Sequence, residues 1–308
     1  MNEISSEYRA GYVALVGRPN VGKSTLMNSL LGQKIAAVSM RPQTTRQRQL
    51  GILTLDSTQA IFMDTPGLHV PVHKLGEFMN QVAEDALKDA DVIVWLVEAN
   101  SLPTEEDRLI ASKLRGLKHP PPVVLALNKL DLLPEEELPA RMEIYRGLMP
   151  RAETLAFSAT TGANQDVLLS AILQRLPKGA PFFSQDQLTD FYERDIAADL
   201  IREAALLHLR EEIPHGVAVR IDEYTERGES GAYIAATVFV ERESHKAIAI
   251  GKGGDMLKRI GSTARREIET MSGRKVFLEL RVKVNKNWRD KPDALRWLGY
   301  TRENKDRP

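Results

Sequence analysis

Gly17-Arg18-Pro19-Asn20-Val21-Gly22-Lys23-Ser24 fits G-x-x-x-x-G-K-[ST], the pattern of a phosphate-binding loop, and its flanks fit as well. Upstream, Tyr12-Val13-Ala14-Leu15-Val16 is an apolar run suited to a buried strand. Downstream, Thr25 to Leu31 reads as a helix closed by Gly32. Glycines let backbone N–H groups turn inward around phosphate oxygens, where the dipole of the following helix also favours negative charge. Lys23 is then placed to reach the β- and γ-phosphates of a nucleotide, and the Ser24 hydroxyl to bind Mg2+.

The chain around this loop has 308 residues, enough for two domains with their own cores. Its 43% hydrophobic and 27% charged residues are the balance of a soluble globular protein. Formal net charge is zero, yet Arg242 to Lys291 holds 14 Lys/Arg against 6 Asp/Glu, a local excess of 14 − 6 = +8. The remainder carries the opposite charge, so one polyanion-facing module belongs to an otherwise acidic protein. There is no cysteine, which excludes disulfides and cysteine-ligated zinc and suits a reducing compartment. The longest apolar run, Val92 to Val97, is far too short to span a bilayer. Met1 to Glu7 has neither the basic start nor the apolar core of a signal peptide, so a cytoplasmic location is expected.

Past the first helix, Lys34 to Arg46 reads as a loop in which Thr44-Thr45 offers hydroxyls to a nucleotide. Gln49 to Leu55 and Gln59 to Met63 read as strands around a turn. The second ends in Asp64-Thr65-Pro66-Gly67, where an acid can support Mg2+ through water and the Gly67 N–H can approach a γ-phosphate. Asp91 to Val97 and Val123 to Leu127 are near-continuous apolar runs, the pattern of parallel strands covered on both faces. Helices are predicted over Glu105–Leu117, with Thr104 as N-cap, and over Glu135–Met149, followed by a strand at Thr154–Phe157. Strands alternating with helices imply a mostly parallel sheet whose ligands bind at the strands' carboxyl ends, where all these motifs fall. There Asn128-Lys129-Leu130-Asp131 makes the base choice. A carboxylate accepts from the N1–H and amine of guanine, adenine has no such donor pair, and the Lys129 stem covers the ring.

These ordered motifs, with Ser158-Ala159, resemble those of a translational-class GTPase domain. The resemblance implies that the loop from Gly17 through Arg18, Pro19, Asn20, Val21, Gly22, Lys23 and Ser24 to Thr25 surrounds the phosphates of GTP or GDP, with Asp64, Thr65, Pro66, Gly67 and Leu68 opposite. It implies that Ser24 and Thr45 ligate Mg2+, that Asp64 supports the metal, and that Lys23, Thr45 and Gly67 act on the γ-phosphate. Thr45 is preferred over Thr44 because similar bacterial GTPases place this threonine beside the arginine. Asn128, Lys129 and Asp131 would hold the base, with Ser158 and an N–H from Ala159. Ras-like proteins carry a water-orienting glutamine where this chain has Leu68, so slow intrinsic turnover is expected. Asn20 resembles the asparagine with which some such GTPases hold a potassium ion; loop shape alone would also ask for it.

Asn164 to Leu176 is amphipathic and ends at Pro177-Lys178-Gly179-Ala180-Pro181, read as a stiff linker between domains 1–180 and 181–308. Beyond it the predicted order is a helix over Thr189–Arg210, strands Val217–Tyr224 and Ala232–Val240 around a polar hairpin loop at Glu226–Gly231, then a helix over His245–Ile250. Gly251-Lys252-Gly253-Gly254 follows, then a helix over Asp255–Met271 and a strand over Val276–Val284. This order with a GxxG loop resembles a type II KH domain, whose loop clamps single-stranded RNA; Lys258 and Arg259 add charge at the next turn. His208, His215 and His245 lack metal-ligand spacing.

The expected fold is therefore a P-loop GTPase domain, an α/β unit with a mostly parallel sheet flanked by helices, followed by an α+β type II KH domain. The combination, with P-Q-T-T-R and D-T-P-G-L, is similar to the Era family of bacterial GTPases. That resemblance implies binding of 16S ribosomal RNA near its 3′ end and a role in maturation of the small ribosomal subunit. It also implies a monomer with peripheral contact with the inner membrane, for which the chain offers only its basic face. An RNA adapter with a slow, structural GTP is the contender that Leu68 keeps open; an ATPase or kinase conflicts with Asn128-Lys129-x-Asp131.

Overall fold

The structure is a computed structural model that describes residues 7–39, 41, 44–228 and 231–300. Pro42 and Gln43 of the P-Q-T-T-R stretch, most of the Met1–Glu7 segment, and Glu229 and Ser230 of the polar hairpin loop lie outside the described residues, as does 301–308. Two compact units are present. One runs to Lys34 and includes Thr45–Val70 and Met79–Asp190; the other comprises Ile35–Thr44, Pro71–Phe78 and the chain from Phe191 onward.

In the first unit, which holds α2 from Met79 onward, the chain runs β1 (Arg9–Val16), α1 (Lys23–Leu31), β2 (Gln49–Leu55), β3 (Thr58–Asp64), α2 (Lys74–Asp89), β4 (Val92–Glu98), α3 (Glu105–Arg115), β5 (Val123–Asn128), α4 (Leu138–Arg146), β6 (Glu153–Ala156) and α5 (Gln165–Leu173). The six strands lie in the order β2-β3-β1-β4-β5-β6, parallel except for β2 against β3. Trp95, Phe62, Leu15 and Val97, fully buried, show why these strands read as continuous apolar runs: helices cover both faces. Because β1 pairs with β3 on one side and β4 on the other, the crossovers diverge at its carboxyl end. That leaves a crevice where Gly17–Ser24 sits.

Three expectations need correction. Helix α2 has no counterpart among the predicted elements, although Leu75, Met79, Ala83 and Ala86 carry helical spacing and are buried. The predicted helix over Glu135–Met149 is α only from Leu138 to Arg146, after a 3-10 turn at Glu135–Glu137. The predicted boundary at 180 also moves. The first unit continues to Asp190, because 182–190 straps the free edge of β2 rather than linking domains. Gln59 Oε1 accepts the N–H groups of Phe182 and Phe183, Ile52 N–H donates to Leu188 O at 2.8 Å, and Leu50 N–H to the Asp190 carboxylate at 3.0 Å. An edge strand covered in this way has its backbone groups satisfied. The Pro177–Pro181 stretch is likewise tied down, its Pro177 carbonyl accepting from Ala10 N–H.

The second unit contains α6 (Glu193–His208), β7 (Ala218–Glu226), β8 (Ala232–Val240), α7 (Glu243–Ile250), α8 (Asp255–Ser272), β9 (Val276–Val284) and α9 (Pro292–Trp297). β7 and β8 are antiparallel, β8 and β9 parallel. Helix α6 begins at Glu193, later than predicted, and buries Ile196, Leu200, Ile201 and Ala204 against Ile260, Ala264 and Ile268 of α8. The order helix–strand–strand–helix–GxxG–helix–strand is that of a type II KH domain. Arg202 of α6, itself buried, donates to the Thr44 carbonyl and to Asp199 at 2.8 Å within this unit.

Candidate functional site

The end of β1 and the start of α1 make the phosphate loop. Gly22 caps α1 at φ 100°, and a Cβ there would lie 2.2 Å from Asn128 Nδ2. The missing side chain lets Asn128 reach Val21 O, to which it donates at 2.8 Å. Lys23 is buried, with its ammonium 3.0 Å from Arg18 O and 3.3 Å from Gly17 O. Burial pulls its pKa from 10.5 down to about 8; the Asp64 carboxylate opposes that pull and Arg18 reinforces it. A buried cation resting only on carbonyls is poised for a phosphate to complete its neutralisation.

Three oxygens meet beside it. Ser24 Oγ donates to Asp64 Oδ2 at 2.6 Å, Thr45 Oγ1 donates to the same oxygen at 3.1 Å, and the two hydroxyls lie 3.0 Å apart. An all-oxygen cluster with one carboxylate fits Mg2+, a hard cation that retains waters. Thr44 turns away, its hydroxyl donating to Arg41 O at 2.8 Å, so Thr45 is the threonine that faces Ser24 and Asp64. Thr65 Oγ1 donates to Leu15 O at 2.8 Å and ties the end of β3 to β1. Leu68 N–H donates to Gly17 O at 3.3 Å while its side chain sits in the core, 2% exposed. An apolar group held there has no means of orienting water.

On the base side, Asn128 is a brace. It donates to the phosphate loop and accepts the Ala159 N–H at 2.9 Å. The N–H that the resemblance assigns to the base is thus engaged by Asn128 in this structure. Lys129 sits at φ 65° with its ammonium on Glu98, which Arg18 also contacts. Asp131 is exposed and makes no hydrogen bond or ion pair among the described residues, leaving its carboxylate to accept from a base. Ser158, fully buried, accepts the Thr161 N–H at 3.1 Å and shapes this loop. Sequence reasoning missed Glu98 and Asp107, which pin Arg18 from β4 and from the first turn of α3, with Asp107 in a capping box with Thr104. No local pattern ties either of them to Arg18, which lies 80 residues before Glu98 and further still before Asp107.

In the KH unit, Gly251, Gly253 and Gly254 all have positive φ, at 75°, 61° and 83°. A Cβ at Gly253 or Gly254 would meet nothing within 4 Å, so their outer face is open to an approaching backbone. Lys252 is exposed on that face. Lys258 and Arg259, which add charge at the turn after the loop, line a cleft between α8 and α6. Among the described residues, no three or more His, Cys, Asp and Glu side chains gather so as to hold a metal ion by themselves.

Fold and site together define a P-loop GTPase joined to a type II KH domain. A family model described as a 50S ribosome-binding GTPase matches residues 12–129, and a KH-domain model matches residues 212–289. The chain is 47% identical over 293 residues to GTPase Era of Ruminiclostridium cellulolyticum, covering 95% of this chain and 98% of that one. It is 48% identical to GTPase Era of Caldicellulosiruptor saccharolyticus with the same coverage. Among solved structures, it matches Era in complex with MgGDPNP and nucleotides 1506–1542 of 16S ribosomal RNA (TM-score 0.91, 39% identity, covering 96% and 99%). It also matches a variant of Aquifex aeolicus Era bound to GDP·AlF4− (TM-score 0.90, 40% identity, covering 95% and 99%). The chain belongs to the Era family of GTPases.

Proposed function

We propose that this protein binds and hydrolyses GTP, binds 16S ribosomal RNA near its 3′ end, and acts in assembly and maturation of the small ribosomal subunit. The observation that carries the switch is the meeting of Ser24, Thr45 and Asp64. Thr45 comes from the loop before β2 and Asp64 from the end of β3, so both can report whether a γ-phosphate is present. Lys23 would leave the carbonyls of Gly17 and Arg18 for the β- and γ-phosphates, and the Gly67 N–H would donate to the γ-phosphate. Mg2+ held by Ser24 and Thr45, with Asp64 behind, would offset charge on the phosphate oxygens. Asp131 reads guanine.

With Leu68 buried, intrinsic turnover is slow, and a potassium ion beside Asn20 would supply transition-state charge without an arginine finger. The protein acts as a cytoplasmic monomer, with any inner-membrane contact peripheral through the basic face. No helix of the described residues is long and apolar enough to cross a membrane. GTP hydrolysis measured with and without small-subunit RNA, in potassium and in sodium, tests the reading. Absence of GTP turnover under all four conditions would leave only an RNA adapter.

A further inference from the structure

A cleft of about 460 Å3 separates the C-terminal end of α6 from the first three turns of α8. Its walls are His208 from α6 and Lys258, Arg259, Ser262, Thr263 and Arg266 from α8, with Asp255 the one acid at its edge. Several arginines elsewhere in this unit pair with local carboxylates: Arg274 with Glu193 and Glu226, Arg281 with Glu279, Arg289 with Glu241, Arg220 with Asp222. Lys258, Arg259 and Arg266 form no ion pair among the described residues and are exposed. His208 Nε2 lies 2.8 Å from Thr263 Oγ1, and burial, with the charges of Arg259 and Arg266, holds the ring below its ordinary pKa. Those surroundings disfavour the charged form of the imidazole. Among the residues lining the cleft, Asp255 is the one acid beside these three cations.

The cleft is a different face from the side of α8 that packs on β9. Gly261 faces Leu280, and at 3.6 residues per turn Arg259 and Arg266 lie roughly 150° around the helix from it. Arg259 and Arg266 are seven residues apart, about 10.5 Å along the axis, too far to share one phosphate and well placed for two of one chain. Ser262 and Thr263 put hydroxyls between them, suited to phosphate oxygens or a 2′-OH. The GxxG loop leads directly into Asp255, the first residue of α8, so a strand leaving the loop meets this flank next.

We infer that the α6–α8 cleft is a second RNA-backbone site, in which Arg259 and Arg266 take two phosphates of the RNA whose neighbouring nucleotides lie on the GxxG loop. The inference rests on the RNA-binding reading above, and the test separates the two. Binding of the full-length protein to a six-nucleotide single strand and to a hairpin of about 35 nucleotides with a single-stranded tail is measured by fluorescence anisotropy over a salt series. Arg259→Gln with Arg266→Gln is expected to weaken the long RNA about tenfold and to flatten its log–log salt slope by about 1.4, two phosphates' worth. The short strand should be unaffected, and the melting temperature should match the parent's because both side chains are exposed. In the parent, the long RNA but not the short one should raise the pH at which His208 titrates by NMR.

Parent-like affinity and salt slope in the folded double variant overturn the second site. Equal losses on both RNAs also overturn it, by placing the two arginines in the GxxG site. Loss confined to vesicles of phosphatidylglycerol, with both RNAs unaffected, would assign the cleft to a membrane surface instead. If neither RNA is bound by the parent, or if Lys252→Asp with Gly253→Asp leaves both unchanged, the underlying RNA reading fails first.

Discussion

Two glycine loops in this chain precede a helix and are aimed at phosphate, yet they are built on opposite plans. At the phosphate loop Lys23 is buried on two backbone carbonyls, and a side chain at Gly22 would strike Asn128. At the GxxG loop Lys252 is exposed, and a side chain at Gly253 would meet only open space. The first site is prepared for a small ligand in one geometry, and the strain of holding a bare cation is stored until that ligand arrives. The second presents unsatisfied charge to solvent and leaves geometry to the polymer. Loss of a group should therefore act through desolvation and fit in the first site, and through salt-dependent counterion release in the second.

Removing the buried charge tests this contrast most severely. Lys23→Met should lower GTP affinity by at least about a hundredfold, roughly 3 kcal/mol. It should also raise the melting temperature of the nucleotide-free protein. The sign follows from the depressed folded-state pKa: between about 8 and 10.5 the unfolded chain holds a proton on Lys23 that the folded chain has released. The empty parent should thus gain stability as pH rises through that window, by on the order of 3 kcal/mol in total. Lys23→Met should lack that gain. Parallel pH–stability curves for the two proteins would remove the account of a stored buried charge.

At the base end of the same site, Asp131→Asn should cost GTP roughly 1–3 kcal/mol and shift preference toward xanthine nucleotides, because the amide offers a donor where guanine already has one. Unchanged GTP affinity, read by calorimetry, would show that the exposed Asp131 is not the base reader.

In the open site, Lys252→Asp with Gly253→Asp sets two carboxylates against phosphates. RNA affinity should fall at least about tenfold, or 1.4 kcal/mol, with most of the loss at low salt. Basal GTP hydrolysis should stay near the parent's, since both residues belong to the other compact unit. A loss independent of salt would mean that the GxxG loop works by fit, as the phosphate loop does, and the contrast would collapse.

The smallest effect is expected at Asn20, whose φ of 66° is a conformation that asparagine and glycine tolerate. Asn20→Gly keeps the turn and removes the amide. If the hydrolysis rate in potassium then falls to the rate in sodium, the amide serves the ion. If the potassium response persists in Asn20→Gly but is lost in Asn20→Ala, the residue serves loop shape.

The sequence by itself determined whatever depends on near neighbours in the chain. Apolar runs at Val92–Val97 and Val123–Leu127 read as buried strands, and the glycine patterns at 17–24 and 251–254 read as loops suited to phosphate. Helix α2 was equally legible in its Leu75, Met79, Ala83 spacing, and only its place among stronger motifs obscured it. The resemblance alone favoured Thr45 over Thr44, and tertiary structure supplies the physical reason: Arg41 O takes the Thr44 hydroxyl while Asp64 takes that of Thr45. It decided that Asn128 braces the phosphate loop and Ala159, and that 182–190 covers β2 instead of spanning domains. It also turned Arg259 and Arg266 toward His208 rather than β9. In each case the deciding partner lies on another element, and a hydrogen bond or an open flank acquires meaning only when the fold brings the two together.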